Sequence, residues 1–231
     1  MELEHAENQV KTFVCGMIFA APGMGKTTAI PFILQGKKKL LIDIDRSSQV
    51  LRSQAAVDKI EGLAPLLVDV DIIKVGLDIS KWVEVVAWLE AGAYKDYECI
   101  FVDNISELEH QMLTEYGRVG KNDGAPELLH YNRVQFKIVD YVRRLRALDT
   151  NIIFTAWEDR MDIVHPSGEK YTLLVPRLSG KSMDTVCGLC NVIAHLDMGK
   201  EKRYFALERT KQVYAKDQIG CRKYCGIEEL I

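Results

Sequence analysis

Short apolar runs, separated by stretches with helical spacing, are the main pattern along this chain. Residues 13–19, 40–45, 99–102 and 151–156 are such runs, and they are rich in residues that favour strands. The first run stops at a Pro-Gly turn, and an aspartate ends the second and follows the third. Continuous apolar runs of this length are typical of parallel strands whose two faces are both covered. The pattern therefore predicts buried strands at these four positions.

Helices are predicted between these strands. Trp82, Val85, Val86 and Leu89 recur at three- and four-residue steps, which indicates an amphipathic helix over residues 80–92. The other predicted elements are helices from Lys26 to about Leu34, from near Asn104 and over 127–148, strands at 192–196 and 203–207, and a loop at 157–181. This alternation predicts the α/β class, with a mostly parallel central sheet flanked by helices and antiparallel strands toward the C-terminus.

Composition and charge limit the class of protein. The 231 residues are 48% hydrophobic and 27% charged, which is ordinary for a globular chain, and we expect one domain over residues 1–231. Residues 1–10 are expected to be flexible and residues 221–231 to form a polar C-terminal tail, and the glycines of 117–126 predict a flexible loop. The net charge of −3 gives no general attraction to a polyanion, so nucleic-acid binding would need local basic patches. No apolar run approaches the ~20 residues that span a bilayer, and the acidic start is unlike a signal peptide, so a cytoplasmic location without a membrane partner is expected.

The loop Ala20-Ala-Pro-Gly-Met-Gly-Lys-Thr27 is the strongest chemical signal. Its glycines let backbone N–H groups turn toward phosphate oxygens, its lysine reaches the β and γ phosphates, and its hydroxyl binds magnesium. Ala20 replaces the first glycine of the pattern GxxxxGK[ST], and alanine is small enough to be tolerated. The alternative is that this segment is an ordinary turn before a helix. The predicted buried strand before it and the helix after it favour a loop that binds ATP. The predicted nucleotide-binding residues are Ala21, Pro22, Gly23, Met24, Gly25, Lys26, Thr27 and Thr28.

A magnesium ion at this loop needs a carboxylate in addition to the hydroxyl of Thr27. In phosphate-loop enzymes that carboxylate lies at the end of a neighbouring hydrophobic strand, and Asp103 follows the run Cys99–Val102. The alternative is a helix N-cap, which Asp103 or Asn104 would supply equally well. The sequence predicts that Thr27 and Asp103 hold Mg²⁺.

Hydrolysis also needs a group that orients or deprotonates water near the γ phosphate. Asp43 and Asp45 end the second predicted strand and, at a period of two, point to the same face. Asp45 lies nearer to the carboxyl end of the strand, where α/β sheets bind ligands. We therefore predict Asp45 as the catalytic carboxylate, acting together with Lys26.

The segments IFAAPGMGKTT, LLIDID, CIFVDNISEL, NIIFTAWED and YAKDQIG together resemble the RecA-like P-loop ATPases. The likeness is greatest to phage-encoded nucleotide-binding proteins of the single-strand annealing and recombination type, for which the location would be the host cytoplasm. It implies a RecA-like core, with ATP and Mg²⁺ as cofactors. It also implies single-stranded DNA as a partner, a homo-oligomer with ATP at the subunit interface, and a single-strand binding protein as a further partner.

The resemblance assigns roles to further residues. Asp45 takes the place of a catalytic glutamate, and its shorter side chain implies slow hydrolysis. Thr155 and Glu158 lie on the strand that senses the γ phosphate in this family. Lys216 matches a basic residue that reaches the ATP of the next subunit, with Lys211 as a weaker candidate; the alternative is that both are ordinary surface lysines.

Two further groups of residues have open interpretations. The segment 157–181 lies where RecA-like proteins place their DNA loops, and 118–121 is a weaker candidate; either would also pass for an ordinary charged loop. The predicted DNA-binding residues are Arg160, Lys170, Arg177 and Lys181. Two close cysteine pairs suggest a four-thiolate zinc site. These are Cys187 with Cys190, and Cys221 with Cys225. Against a zinc site, the second pair has three intervening residues where two is commoner, and buried cysteines also serve as small hydrophobic residues.

Two classes of function follow from these residues. The first is an ATP-driven enzyme that forms oligomers on single-stranded DNA. The second is a nucleotide-dependent switch or partner-binding module with slow hydrolysis and no DNA. A small-molecule kinase fits less well, because no arginine-rich lid is evident.

Overall fold

The computed structural model describes residues 12–165 and 167–231 and contains, within them, one ten-stranded sheet. The predicted flexible start at residues 1–10 lies outside the described residues. The strands are β1 (Cys15–Ala20), β2 (Lys39–Asp43), β3 (Val70–Lys74), β4 (Cys99–Asp103), β5 (Asn151–Val164), β6 (Lys170–Pro176), β7 (Val192–Met198), β8 (Arg203–Ala206), β9 (Lys216–Asp217) and β10 (Tyr224–Cys225). All four strands predicted from the apolar runs are present.

The centre of the sheet is parallel. Its order is β7-β1-β5-β4-β2-β3, and every neighbouring pair in that series runs in the same direction. Strands β8 and β10 continue the sheet beyond β7 in antiparallel pairs, and β9 also pairs with β7 in this way. The predicted α/β architecture, with a mostly parallel sheet and antiparallel strands toward the C-terminus, is therefore confirmed.

Helices and turns cover both faces of the sheet. The α-helices are α1 (Lys26–Ala29), α2 (Gln54–Lys59), α3 (Leu63–Leu66), α4 (Ile79–Glu90), α5 (Ile105–Arg118), α6 (Leu128–Arg146) and α7 (Gly180–Leu189). One apolar cluster joins one sheet face to α4, α5, α6 and α7. The other cluster joins the opposite face to α1, α3 and the C-terminal segment. Within the part of the chain that is described, no helix is both long and apolar enough to cross a membrane.

The loop from Ala20 to Thr27 is called the phosphate loop from here on, and the helix after it is shorter than predicted. Helix α1 ends at Ala29, and a 3-10 turn over Ile30–Phe32 follows. Pro31 has no N–H to donate to the carbonyl of Thr27, so the α-helical pattern stops before it. The prediction of a continuous helix to Leu34 was therefore wrong.

The prediction of a loop over residues 157–181 was also wrong, because most of this segment forms a β-hairpin. Strand β5 continues past the sheet to Val164, and β6 pairs with it from Glu158↔Pro176 to Val164↔Lys170. Leu173 and Val175 alternate with more exposed neighbours and are buried in the core, which is the period of a strand. Hereafter "the hairpin" means residues 157–177. Helix α7 begins three residues after it, at Gly180.

The C-terminal segment predicted as a polar tail packs against the sheet. The segment contains β10, which pairs with β8 of the sheet, and its Ile227 and Leu230 are buried in the second apolar cluster. The segment therefore contributes to the core.

Candidate nucleotide-binding site

The phosphate loop connects the carboxyl end of β1 to α1. Gly23 and Gly25 have φ values of 82° and 89°, which other residues rarely adopt. A side chain at Gly25 would also collide with the guanidinium of Arg203. Ala20 is instead the last residue of β1 and is fully buried in extended backbone, so this position does not require glycine. The substitution noted in the sequence is accommodated within the strand.

Lys26 begins α1 and is 9% exposed. Its Nζ donates to the carbonyl oxygens of Ala20 at 2.9 Å and Ala21 at 3.4 Å. Burial lowers the pKa of Lys26, while the carboxylates of Asp103 and Asp45 act in the opposite direction. The lysine is thus held against the loop, beside the carboxylates of β4 and of the segment after β2.

Asp103 ends β4 and is 1% exposed. Its Oδ2 accepts hydrogen bonds from Thr27 Oγ1 at 2.7 Å and Ser47 Oγ at 2.8 Å, and its Oδ1 accepts one from Thr155 Oγ1. Burial raises the pKa of Asp103, and these hydroxyl groups partly offset the rise. The helix N-cap is Asn104, whose Oδ1 accepts from Glu107 N at 2.7 Å. The N-cap role therefore belongs to Asn104, and the magnesium role of Asp103 stays a prediction.

This arrangement suits a magnesium ion. Mg²⁺ binds oxygen ligands, commonly one or two carboxylates or hydroxyls together with phosphate oxygens and water. Thr27 and Asp103 present a hydroxyl and a carboxylate within hydrogen-bond distance of each other, beside the phosphate loop. The hydroxyl of Ser47, which the sequence did not indicate, lies at the same carboxylate.

Asp45 lies just beyond β2 and lines the same pocket as the phosphate loop. Its Oδ1 accepts from Ser47 N at 2.9 Å, and its Oδ2 accepts from Asn104 Nδ2 at 2.5 Å. Asp43 does not line this pocket; it is fully buried and accepts a hydrogen bond from Ser48 Oγ. Of the two aspartates, only Asp45 stands at the phosphate loop.

Arg203 is a site residue that the sequence analysis missed. It opens β8, and its Nη1 donates to Gly25 O at 2.8 Å and Thr28 Oγ1 at 2.9 Å. Burial lowers the pKa of Arg203. Its place at the start of a late predicted strand was the only signal available, because the contact joins residues 178 positions apart.

The pocket around these groups has a volume of about 790 Å³. Polar groups of the phosphate loop line it together with Asp45, Ser47 and Asp103. Apolar side chains also line it, namely Val50, Ala56, Ile60 and Met198. A lining with both polar and apolar groups suits a ligand that has phosphates and a flat ring.

A family model described as an AAA domain matches residues 12–219. The chain belongs to this AAA domain family. Its P-loop ATPase domain thus extends over most of the chain and includes each of the site residues described above. No curated protein matches the chain.

The two predicted sensor residues of the AAA domain both have partners. Thr155 is fully buried and donates a hydrogen bond to Asp103, so it helps to orient the carboxylate of the predicted magnesium ligand. Glu158 Oε2 lies 2.8 Å from His195 Nε2 on β7. This pair joins β5 to β7 across the end of β1, next to the phosphate loop. Whether either residue senses a γ phosphate stays a prediction.

Lys216 lies outside the nucleotide pocket of its own chain. It pairs with Ile193 on β7, nearer to the amino-terminal ends of the strands than to the phosphate loop. Lys211 forms an ion pair with Glu169 at 2.7 Å. The predicted role of Lys216 concerns a neighbouring subunit and stays a prediction.

The predicted DNA-binding residues do not form one cationic surface on the AAA domain. Arg160 and Lys170 lie on the same face of the hairpin as Asp162, and the Arg177 guanidinium lies over the Trp157 ring at 5.7 Å. Lys181 is exposed in the first turn of α7. The hairpin thus carries cations and carboxylates together on this face.

The two cysteine pairs do not come together. Cys187 and Cys190 are buried in the apolar cluster on one face of the sheet, and Cys225 is buried in the cluster on the other face. Cys221 is exposed. The four thiols therefore cannot form the zinc site considered from the sequence, and the three buried ones pack as small hydrophobic residues.

Proposed function

We propose that this AAA domain is a Mg²⁺-dependent ATPase whose turnover is coupled to single-stranded DNA. The nucleotide part rests on one observation: Lys26, the Thr27 hydroxyl and the Asp103 carboxylate meet at the phosphate loop, with Thr27 Oγ1 2.7 Å from Asp103 Oδ2. A lysine, a hydroxyl and a carboxylate in this relation are the parts that phosphoryl transfer requires.

Each group has a distinct role in this proposal. Backbone N–H groups of the loop and the Lys26 ammonium bind the β and γ phosphates, while Thr27 and Asp103 hold the metal ion. When bound, magnesium neutralises charge on the phosphates. Asp45 orients the attacking water, and Asn104 and Ser47 fix the direction of its carboxylate through the hydrogen bonds described above.

Arg203 is expected to strengthen nucleotide binding, because it places a partly desolvated positive charge at Gly25 and Thr28. Replacing Arg203 with Met should weaken ATP affinity about tenfold or more, since hydrogen bonds that involve a charged group contribute about 1.5–3 kcal/mol. Titration with a fluorescent ATP analogue measures the change. Lys200→Met removes an exposed cation from the same β7–β8 turn and serves as the control. Equal affinities of the two variants would show that Arg203 has no part in binding.

The DNA part of the proposal rests on the resemblance to RecA-like ATPases and on the position of the hairpin beside the nucleotide pocket. Trp157 lines that pocket and also carries the Arg177 guanidinium on its ring, so it connects the hairpin to the site. Aromatic and cationic side chains together are the groups that bind single strands.

Single-stranded DNA is expected to raise the rate of ATP hydrolysis, and more so at low salt than at high salt, because phosphate contacts weaken as salt increases. The measurement is phosphate release with and without an oligothymidylate at two salt concentrations. An unchanged rate, together with no salt-sensitive binding of the oligonucleotide, would exclude DNA as the ligand.

A nucleotide-dependent switch without DNA is the second candidate. It is favoured by the acidic residues of the hairpin, which include Glu158, Asp159, Asp162 and Glu169, and by the short side chain at Asp45. The same hydrolysis experiment separates the candidates. A slow rate that DNA does not change supports the switch.

The proposal also includes an oligomer. In it, ATP lies at the interface between subunits, Lys216 of one subunit reaches the ATP of the next, and a single-strand binding protein is a further partner. The resemblance supports this arrangement, and the position of Lys216 outside its own nucleotide pocket leaves it available to a neighbour.

A further inference from the structure

A second cleft, of about 760 Å³, lies at the carboxyl ends of β2 and β3. It is lined by the loop after β2, by the connection from β3 into the first turn of α4, and by the last turn of α5. Four cations line it, namely Arg46, Lys74, Lys81 and Arg118. We call it the basic cleft. Arg118 belongs to the segment that the sequence analysis treated as a weaker DNA candidate.

The basic cleft has an excess of positive charge. Two carboxylates also line it, so the formal balance is two positive charges. Glu115 is paired with Arg118. Asp78 caps α4 by accepting from Ser80 N at 3.0 Å, and it also attracts the Lys81 charge without forming an ion pair with it. The three remaining cations form no ion pair or side-chain hydrogen bond with any residue of the described ranges 12–165 and 167–231; they are Arg46, Lys74 and Lys81.

Three unpaired cations in a concave surface favour an anionic ligand. All three side chains are exposed, so they can reach a ligand without a change in the fold. Lysine and arginine bind phosphate groups through charge and several N–H donors. The first turn of the 12-residue helix α4 adds a weaker attraction for negative charge from the same side.

The hairpin offers a weaker site of this kind. Its cations lie together with carboxylates, and the residue opposite Thr172 is Asp162, which accepts its hydroxyl at 2.8 Å. The hairpin carries three cations and four carboxylates, whereas four cations and two carboxylates line the basic cleft. Phosphate groups would therefore meet more uncompensated charge in the cleft than on the hairpin.

The basic cleft is next to the nucleotide pocket, and one loop contributes to both. Asp45 and Ser47 line the nucleotide pocket, while Arg46 between them lines the basic cleft. Arg46 has a φ of 65°, a left-handed conformation that turns the chain between its two neighbours. A ligand on Arg46 is thus one residue from the predicted catalytic carboxylate.

We propose that the basic cleft binds a run of phosphate groups through Arg46, Lys74 and Lys81. Two sources supply this chemistry, namely the backbone of a single-stranded nucleic acid and a free polyphosphate. Phosphate binding is inferred from the geometry and charge of the cleft, and its effect on ATP turnover rests on the proposed function.

The test compares two triple variants with the same change in charge. The cleft variant is Arg46→Gln/Lys74→Gln/Lys81→Gln, and the control is Lys37→Gln/Lys95→Gln/Lys200→Gln, whose exposed lysines lie outside both pockets. Binding of a fluorescein-labelled oligothymidylate is measured by anisotropy without nucleotide. The cleft variant should bind at least tenfold more weakly than the control, and the slope of log affinity against log salt should fall by about 2, at ~0.7 per phosphate contact.

Pyrophosphate distinguishes the two sources of phosphate. Pyrophosphate would also bind the phosphate loop, so calorimetry is done with Lys26→Met added to both triple variants. If pyrophosphate then binds the control and not the cleft variant, the site takes small phosphorylated ligands as well. If only the oligonucleotide binds through the three cations, the ligand is the nucleic-acid backbone. Equal binding of both probes by the cleft and control variants overturns the proposal. Matching circular dichroism spectra and melting temperatures establish that both variants are folded.

ATP measurements keep this proposal separate from the proposed function. Neither Lys74 nor Lys81 nor Arg46 lines the nucleotide pocket, so the cleft variant should bind ATP as the wild type does. Stimulation of turnover by the oligonucleotide should be lost in the cleft variant and kept in the control. A wild type that binds the oligonucleotide through the cleft but does not bind ATP would refute the proposed function alone. If the oligonucleotide still stimulates ATP turnover by the cleft variant, the proposed role of the basic cleft is refuted.

Discussion

Replacing Lys26 with alanine is expected to abolish triphosphate binding. Lys26 is 9% exposed, and its ammonium lies against the carbonyl oxygens of Ala20 and Ala21 at the phosphate loop. A buried cation in this position compensates the charge of the β and γ phosphates, and its charge-assisted hydrogen bonds contribute about 1.5–3 kcal/mol each. The loss of two such bonds to the phosphates corresponds to a loss of ATP affinity of about a hundredfold or more. Titration with a fluorescent ATP analogue measures it.

The control for this change is Lys37→Ala, which removes an exposed lysine from the turn before β2. Lys26→Met is a useful second variant, because it keeps the aliphatic part of the buried side chain while removing the charge. Both Lys26 variants should lose binding, and the control should keep it. Normal ATP affinity in a folded Lys26→Met protein would refute the assignment of the phosphate site.

Replacing Asp45 with asparagine is expected to leave ATP binding intact and to reduce turnover by a factor of about 10² to 10⁴, the usual contribution of a general acid or base. Asparagine has the same shape and can still accept the hydrogen bond from Ser47 N. It cannot accept a proton from water, and its amide group conflicts with the Asn104 amide that now donates to Asp45 Oδ2. Steady-state measurement of kcat and KM separates this loss of turnover from a loss of binding.

Asp58→Asn is the matched control, because it removes an exposed carboxylate from α2 outside the nucleotide pocket. An Asp45→Asn protein with the wild-type kcat would place the base elsewhere. Glu107 would then be tested before Asp43. Glu107 is partly exposed in the first turn of α5, while Asp43 is fully buried beneath Ser48.

The strands and the phosphate loop were predictable because their signals are local. Cys99–Asp103 is a continuous apolar run that ends in a carboxylate, and a strand buried on both faces requires such a run. The loop from Ala20 to Thr27 contains its own glycines, so the backbone that binds phosphate is specified within eight residues. Asn104 was weighed as an N-cap for the same reason, since a cap and its partner are three residues apart.

The hairpin was missed because its pattern is mixed. Residues 157–164 contain three carboxylates and an arginine, and this polar composition hides the two-residue period. Burial of Leu173 and Val175 depends on the core that α5 and α6 build elsewhere in the sequence. A strand whose stability comes from such distant packing has little local signal.

The sequence by itself determined the α/β class, the phosphate loop, the carboxylate at the end of β4 and the candidate status of Asp45, because each depends on residues close together in the chain. Only the tertiary structure decided which groups meet there. Arg203 reaches Gly25 across 178 residues, Thr155 reaches Asp103 across 52, and the cysteine pairs are separated by the sheet. Contacts of this kind arise from strand order and register, which determine how distant segments pack and have no counterpart in local sequence patterns.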